Sequence, residues 1–362
     1  MAKTQLESKA VPIFSPSELF AEANIHLKAN MPILITGKPG QGKSTIIEQL
    51  CQELEYDLMI SHPVVDSPID YKGMPALLEV MVIPNGQSQA KPTKQAEFLP
   101  FGELRNLIDA TKPTVHFADD LGPSAKMVQA AYGQLLLNRA INNHAVSDHV
   151  RFVAATNRKQ DKSGVQGIIE MLKDRFHTIC ELQNSVEDWV KWAITSKKIP
   201  YELISFVRYM PEVLDDFEPT ADMSRRCTPR GLQQIADKMN AGLPKHMQHK
   251  SFTGTVGVKV ATDLVGFLRI YQDLPDPDKV IMDPKNAEIP DIEKTPGNLY
   301  ALCGALSARA TQNSIERIIT YANRLPDEFS VMLVNDSTQH NSKLCQNPSF
   351  LEWVSDHQDV LV

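Results

Sequence analysis

The chain has 362 residues, of which 42% are hydrophobic and 22% charged, and a formal net charge of −7 with a pI of about 5.8. That make-up suits roughly two or three globular domains. It excludes attraction of the whole molecule to nucleic acid or acidic membranes, although a local basic groove stays open. The sequence has no apolar run of about 18 residues and no cleavable signal at its N-terminus, so no membrane association is expected. The five cysteines, Cys51, Cys180, Cys227, Cys303 and Cys345, are far apart, with neither a C-x-x-C pair nor histidines at metal-ligand spacing. Reduced, buried thiols in a cytoplasmic setting are the expectation.

Residues 1–15 lack periodicity, and disorder is expected for part of them. Ser15-Pro16-Ser17-Glu18 has the form of a capped helix start, running through Leu19, Phe20, Ala23 and Ile25 to about Asn30. Met31–Thr36 is an apolar strand and Thr45–Cys51 a helix. Between them residues 37–45 read GKPGQGKST, which fits G-x-x-x-x-G-K-[ST]. Strand, glycine loop and helix together make this a nucleoside-triphosphate cradle. In it, Gly37, Lys38, Pro39, Gly40, Gln41, Gly42, Lys43, Ser44 and Thr45 would hold ATP. The glycines let backbone N–H groups wrap phosphate oxygens, and the helix N-terminus adds free donors. Lys43 would meet the outer phosphates, and the Ser44 hydroxyl would ligate Mg²⁺.

Further strands are expected at Asp57–Ser61, Thr114–Ala118, Val150–Ala155 and His177–Leu182, with a helix over about 125–138. Residues 80–100, rich in Gln, Pro, Lys and Gly around Pro84-Asn85-Gly86, read as an inserted hairpin or loop. Alternating strands and helices predict a five-stranded parallel α/β sheet covered on both faces, over residues 1–183. Beyond Asn184 helical patterns follow one another: Val186–Ile194, Pro200–Tyr209, Pro229–Met239 and Val256–Leu274. They suggest a helical lid at 184–272. After the Leu274-Pro275-Asp276-Pro277-Asp278 linker comes a mostly helical extension at 273–362.

The strand at 115–118 ends in Asp119-Asp120. Next to a phosphate loop, an apolar strand closing on two acids places Asp119 on the Mg²⁺ shell and Asp120 on the attacking water. Ala155-Thr156-Asn157-Arg158 ends the following strand, where the Asn157 amide can bond that same water.

In this order the motifs resemble those of the AAA+ ATPases: Walker A, Walker B, then sensor 1 at Asn157. Leu172-Lys173-Asp174-Arg175-Phe176 is similar to the segment whose arginine serves in the family as the finger or a neighbouring sensor, with a local Asp174–Arg175 pair as the structural alternative, and Thr228-Pro229-Arg230 is similar to its sensor 2. Val65-Asp66-Ser67-Pro68-Ile69-Asp70-Tyr71-Lys72-Gly73-Met74-Pro75 is similar to a segment of the MoxR-like branch. Residues 80–100 stand in the place of that branch's helix-2 insert and Arg139–Val150 in that of its pre-sensor-1 hairpin. The likeness covers about residues 16–272. It implies an ATP hydrolase with Mg²⁺, a homohexameric ring, catalytic roles for Asp120, Asn157, Arg175 and Arg230, and a protein substrate or adaptor, such as one with a von Willebrand factor A domain. The sequence departs from the family in Asp120, one methylene shorter than the usual Glu; about 1 Å of misplacement can cost about 10²-fold in rate. Gly231, just inside a helix start, is a poor helix former. Two other functions are open to a P-loop chain. A DNA-acting loader or restriction-motor subunit would lack a helix-turn-helix and a basic balance here, and a small-molecule kinase would have no use for the lid, Asn157 or Arg175.

Overall fold

The computed structural model describes residues 11–83, 91–142, 144–161, 164, 167–220, 223–272, 274–291 and 296–357. Residues 1–10, where disorder was expected, and the expected Pro84-Asn85-Gly86 turn lie outside them.

Met1–Gln183 forms one compact unit. In chain order it contains β1 (Ile13–Phe14), α1 (Pro16–Ala29), β2 (Ile33–Gly37), α2 (Lys43–Leu54), β3 (Asp57–Ser61), α3 (Pro68–Lys72), β4 (Met74–Val82) and β5 (Lys91–Leu99). There follow α4 (Gly102–Asp109), β6 (Thr114–Ala118), α5 (Lys126–Asn138), β7 (Ala140–Ile141), β8 (His144–Ala145), β9 (Val150–Asn157), α6 (Glu170–Lys173) and β10 (Thr178–Leu182). Local chemistry sets the first helix: Ser15 accepts from the Glu18 N–H at 3.3 Å while the Glu18 carboxylate accepts from the Ser15 N–H at 2.8 Å. This reciprocal cap satisfies two donors that the helix cannot.

The main sheet is all-parallel in the order β1-β10-β2-β9-β6-β3. It has six strands where five were expected. The extra one is only Ile13–Phe14, paired with Glu181 and Leu182; two residues are too short to show a period of two, so only pairing reveals them. Alternation along the strands feeds two cores. Ile33, Ile35, Val115, Phe117 and Val153 face α1 and α2, through Leu19, Leu27, Ile47 and Leu50. Leu34, Phe152 and Ala154 face α4 and α5, through Leu104, Leu107, Tyr132 and Leu135.

The insert is an antiparallel ribbon with Met74 opposite Leu99 and Val82 opposite Lys91, so pairing begins before residue 80. Gly73 turns the chain into it at φ +89°, and any Cβ there would sit 2.7 Å from the Leu99 carbonyl oxygen. Glycine is the residue that can stand there. Between α5 and β9, β7 and β8 form a short antiparallel hairpin.

Asn184–Val362 is the second compact unit. It is helical: α7 (Val186–Ser196), α8 (Tyr201–Tyr209), α9 (Pro229–Asn240), α10 (Lys245–Val256), α11 (Val258–Gln272), α12 (Pro277–Met282), α13 (Pro296–Ser307), α14 (Ile315–Ala322), α15 (Asp327–His340) and α16 (Pro348–Asp356). The expected helix from Val256 starts at Val258, because Gly257, at φ +85°, breaks the path and would collide through a Cβ with the Arg225 carbonyl oxygen. The segments expected as separate lid and extension lie together in this unit. Ala301 of α13 is buried in the core formed by α7–α11, and Gly304 lets α13 approach Ser205 of α8. Arg208 of α8 donates to both carboxylate oxygens of the buried Asp336 of α15, at 2.6 and 2.5 Å. Such long-range packing across a Pro/Asp linker leaves no trace in local composition.

Candidate functional site

Register builds the site. Gly37 ends β2 directly beside Asn157, the last residue of β9. Ala118 ends β6 beside Ala154 of β9 on one side and Ser61 of β3 on the other. The residues that follow these strand ends therefore converge at one edge of a parallel sheet, the side where such sheets bind ligands.

The loop after β2 curls through Gly40 at φ +74° and Gly42 at φ +94°, conformations that glycine enters without strain. Gly37 has a separate reason to lack a Cβ: one there would stand 2.5 Å from the Gln41 side-chain oxygen. Gln41 is buried, and its Oε1 has no hydrogen-bond partner. Lys43, the first residue of α2 and 7% exposed, donates through Nζ to the carbonyl oxygens of Gly37 at 3.2 Å and Lys38 at 2.9 Å. It also donates to Asn157 Oδ1 at 2.9 Å. The Asn157 amide in turn donates to Asp120 Oδ1 at 3.1 Å, which sets its orientation. Ser44 Oγ donates to Asp119 Oδ2 at 2.8 Å, and the other Asp119 oxygen accepts from the Asp120 N–H at 3.1 Å. The chain Lys43–Asn157–Asp120–Asp119–Ser44 thus links the ends of β2, β9 and β6.

Asp120 stands at φ +55°. A non-glycine residue in this left-handed region is uncommon, and such positions cluster at functional sites. Here it turns the second carboxylate toward Asn157 rather than along the strand. Ser61 was not anticipated from sequence: its carbonyl accepts from the Asp119 N–H at 2.9 Å, fixing where the first acid begins. Arg158 was likewise unassigned. It holds Asp161 through two guanidinium nitrogens, at 3.0 and 2.7 Å, and Glu181 at 2.9 Å. These bonds, Asp161 first, raise its already high pKa and pin the segment after β9 to β10. The available signal was the Arg-x-x-Asp spacing.

Ser44 and Asp119 present hard oxygen donors next to the helix start and to Lys43. That set fits Mg²⁺, which takes one or two protein oxygens and otherwise phosphate and water. Among the described residues no group of three His, Cys, Asp or Glu side chains could hold a metal by itself.

Neither candidate arginine is a member of this bonded chain. Arg175 follows α6 and packs on α5 at Gly133, whose absent Cβ would lie 3.2 Å from Arg175 Nη1. That nitrogen is buried without a hydrogen-bond partner. Arg230 belongs to the second unit, exposed in the first turn of α9. The hydroxyl of Thr228 caps that helix by accepting from the Gly231 N–H at 3.0 Å. Gly231 is buried, and a Cβ there would approach Val256 of α10 to 3.3 Å, which accounts for a poor helix former at this position. Thr45 is exposed on α2.

No family model and no curated protein matches the chain. Among solved structures it is similar to the RuvB Holliday junction branch migration motor of Thermotoga maritima, with 16% identity, 80% of each chain covered and a TM-score of 0.38. It is also similar to NtrX from Brucella abortus in complex with ADP, with 10% identity over 96% of this chain and 68% of that one and a TM-score of 0.38. Likeness at this level identifies neither a family nor an activity.

Proposed function

We propose that this chain is a AAA+ ATPase of the MoxR-like kind, which hydrolyses Mg-ATP as a ring and spends the energy on remodelling or assembling a protein partner. The observation that carries the ATPase reading is the bonded chain from Lys43 through Asn157 and Asp120 to Asp119 and Ser44. A phosphate loop alone would serve a kinase equally well. An amide that holds both the loop lysine and the second carboxylate joins phosphate recognition to water activation, which is the coupling a hydrolase needs.

In this reading the loop N–H groups and Lys43 take the β- and γ-phosphates. Mg²⁺, held by Ser44 and Asp119, would neutralise charge on the phosphate oxygens. Asp120 orients the attacking water and accepts its proton, and Asn157 holds that water against the γ-phosphate. The finer assignment rests on motif resemblance: the MoxR-like segment at Val65–Pro75, the ring, Arg175 as a finger acting on a neighbour's nucleotide, and Arg230 acting in cis.

Calorimetry with Mg-ATP tests the cradle. Lys43→Ala should abolish measurable binding, and wild-type affinity in that variant would overturn the assignment. Asp120→Asn should bind ATP normally while turnover falls by about 10²–10⁴-fold, the range for loss of a general base. Specific activity should also rise with protein concentration, because a finger from a neighbour is available only in the assembled state; turnover that is unchanged down to demonstrable monomer would remove the ring. Stimulation by DNA with a steep salt dependence would move the reading to a DNA-acting motor.

A further inference from the structure

A cavity of about 240 Å³ opens between α3, α4 and α5 over β6. Three carboxylates line it, Asp66, Asp70 and Glu103, and no lysine or arginine does. Asp66 is set in place by the Tyr71 hydroxyl, which donates to it at 2.6 Å, and Asp70 by the Ser67 N–H at 2.7 Å. Asp70 and Glu103 are exposed, while His116, at the inner end, is 1% exposed. Phe101 and Leu107 supply an apolar side wall.

His116 separates this cavity from an ordinary acidic surface. Its Nδ1 is buried without a partner, and its Nε2 stands 4.0 Å from Glu103 Oε2, too far for a hydrogen bond. Behind it the hydroxyl of the fully buried Tyr132 is also unpartnered, with its ring 5.8 Å from those of both His116 and Tyr71. Nε2 is the nitrogen that faces Glu103 across the gap, on a side chain that is almost wholly buried and lines the cavity, so Nε2, and not Nδ1, is where a ligand's donor would be met. Burial, and then the charges of Asp66 and Asp70, raise the Glu103 pKa; a cation here would relieve both carboxylate crowding and desolvation. A bare metal ion does not suit the geometry, since among the described residues no three such side chains converge on one point. Their spread asks for a larger head with several N–H donors, and the apolar wall asks for an aliphatic stem.

We propose that this cavity binds an alkyl cation, a primary ammonium or guanidinium on an aliphatic stem, with its head among Asp66, Asp70 and Glu103 and an N–H donating to His116 Nε2. The source is either a free small amine or a lysine or arginine side chain presented by another protein. None of the residues lining it belongs to the bonded chain of the nucleotide cradle, and its test does not depend on ATPase activity.

The test needs no nucleotide. The full chain, labelled with ¹³C in its histidine rings, is titrated with agmatine and, separately, with a blocked Gly-Arg-Gly tripeptide. The His116 ring signal, assigned by its loss in His116→Gln, should shift and saturate. Glu103→Gln, at an exposed position that folding tolerates, should weaken binding roughly tenfold, as expected for loss of a charge-assisted hydrogen bond. Asp66→Asn, which keeps an acceptor for Tyr71, should weaken it further. Saturation by agmatine alone assigns a free amine; saturation by the tripeptide at equal or lower concentration assigns a presented side chain. Two results would overturn the proposal: no His116 shift with either probe at millimolar concentration, which leaves the cavity to water, or equal shifts in wild type and Glu103→Gln.

Discussion

Lys43 and Arg175 are cations of the same α/β unit held in opposite ways. Lys43 donates to the Gly37 and Lys38 carbonyls and to Asn157 within 3.2 Å, whereas a buried Arg175 nitrogen has no hydrogen-bond partner. A buried polar group left unmade costs about 1–3 kcal/mol. The phosphate cradle is therefore assembled by the fold itself, and an incoming phosphate replaces acceptors that Lys43 already uses. Arg175 Nη1 has no such bond to give up.

The largest expected effect tests that contrast. Arg175→Ala should lower ATP turnover by about 10³–10⁵-fold if the guanidinium serves as a finger, yet leave ATP affinity near wild type in calorimetry. Mixing it with Lys43→Ala should recover part of the activity, since some interfaces then pair an intact cradle with an intact finger. Mixing Arg230→Ala with Lys43→Ala should recover little, because an arginine acting in cis must share a subunit with an intact cradle. If the second mixture recovers and the first does not, the two arginines exchange roles. No recovery in either, with Arg175→Ala losing thermal stability, would reduce Arg175 to a packing residue on α5.

A second, smaller effect compares the cradle with the other face of the sheet. Burial pushes the His116 pKa down to about 4, from an ordinary value near 6.5. The folded state then keeps His116 neutral while the unfolded chain takes up a proton below pH 6.5. Stability should accordingly fall as the pH drops from about 6.5 to 4, by about 3 kcal/mol from this residue. Denaturant titrations of wild type and His116→Phe across that range isolate the histidine from Glu103, whose raised pKa is common to both proteins. Parallel curves would mean that His116 gains a hydrogen-bond partner in solution.

The smallest effect lies in the helical unit. Gly231→Ala exchanges about 1 kcal/mol of helix propensity for a methyl pressed against Val256. The net change in unfolding free energy should stay within about 1 kcal/mol of zero, with ATP affinity unaltered. A loss of several kcal/mol would mean that α9 and α10 cannot separate by even a few tenths of an ångström.

Much of the site was legible because its residues are contiguous or end a strand. Gly37–Thr45 carries its own loop chemistry, and Asp119-Asp120 and Asn157 follow apolar runs whose length marks where each strand stops. Ser61 and the left-handed Asp120 were not legible, since each matters through a neighbour brought in by sheet register. The same holds for β1, with two residues and no period, and for α10, whose apolar residues form too weak a stripe to stand out.

The sequence by itself determined a P-loop α/β unit followed by helices, because glycine spacing, strand hydrophobicity and helix caps act over a few residues. Only the tertiary structure decided that Asn157 bridges Lys43 to Asp120, since that bond spans residues 114 apart in the chain to Lys43 and 37 to Asp120. It also decided that α13 buries Ala301 against α7–α11, that Arg208 pairs with Asp336, and that His116 faces Glu103 rather than solvent. Long-range pairing follows from which surfaces bury one another, and burial is a property of the whole fold.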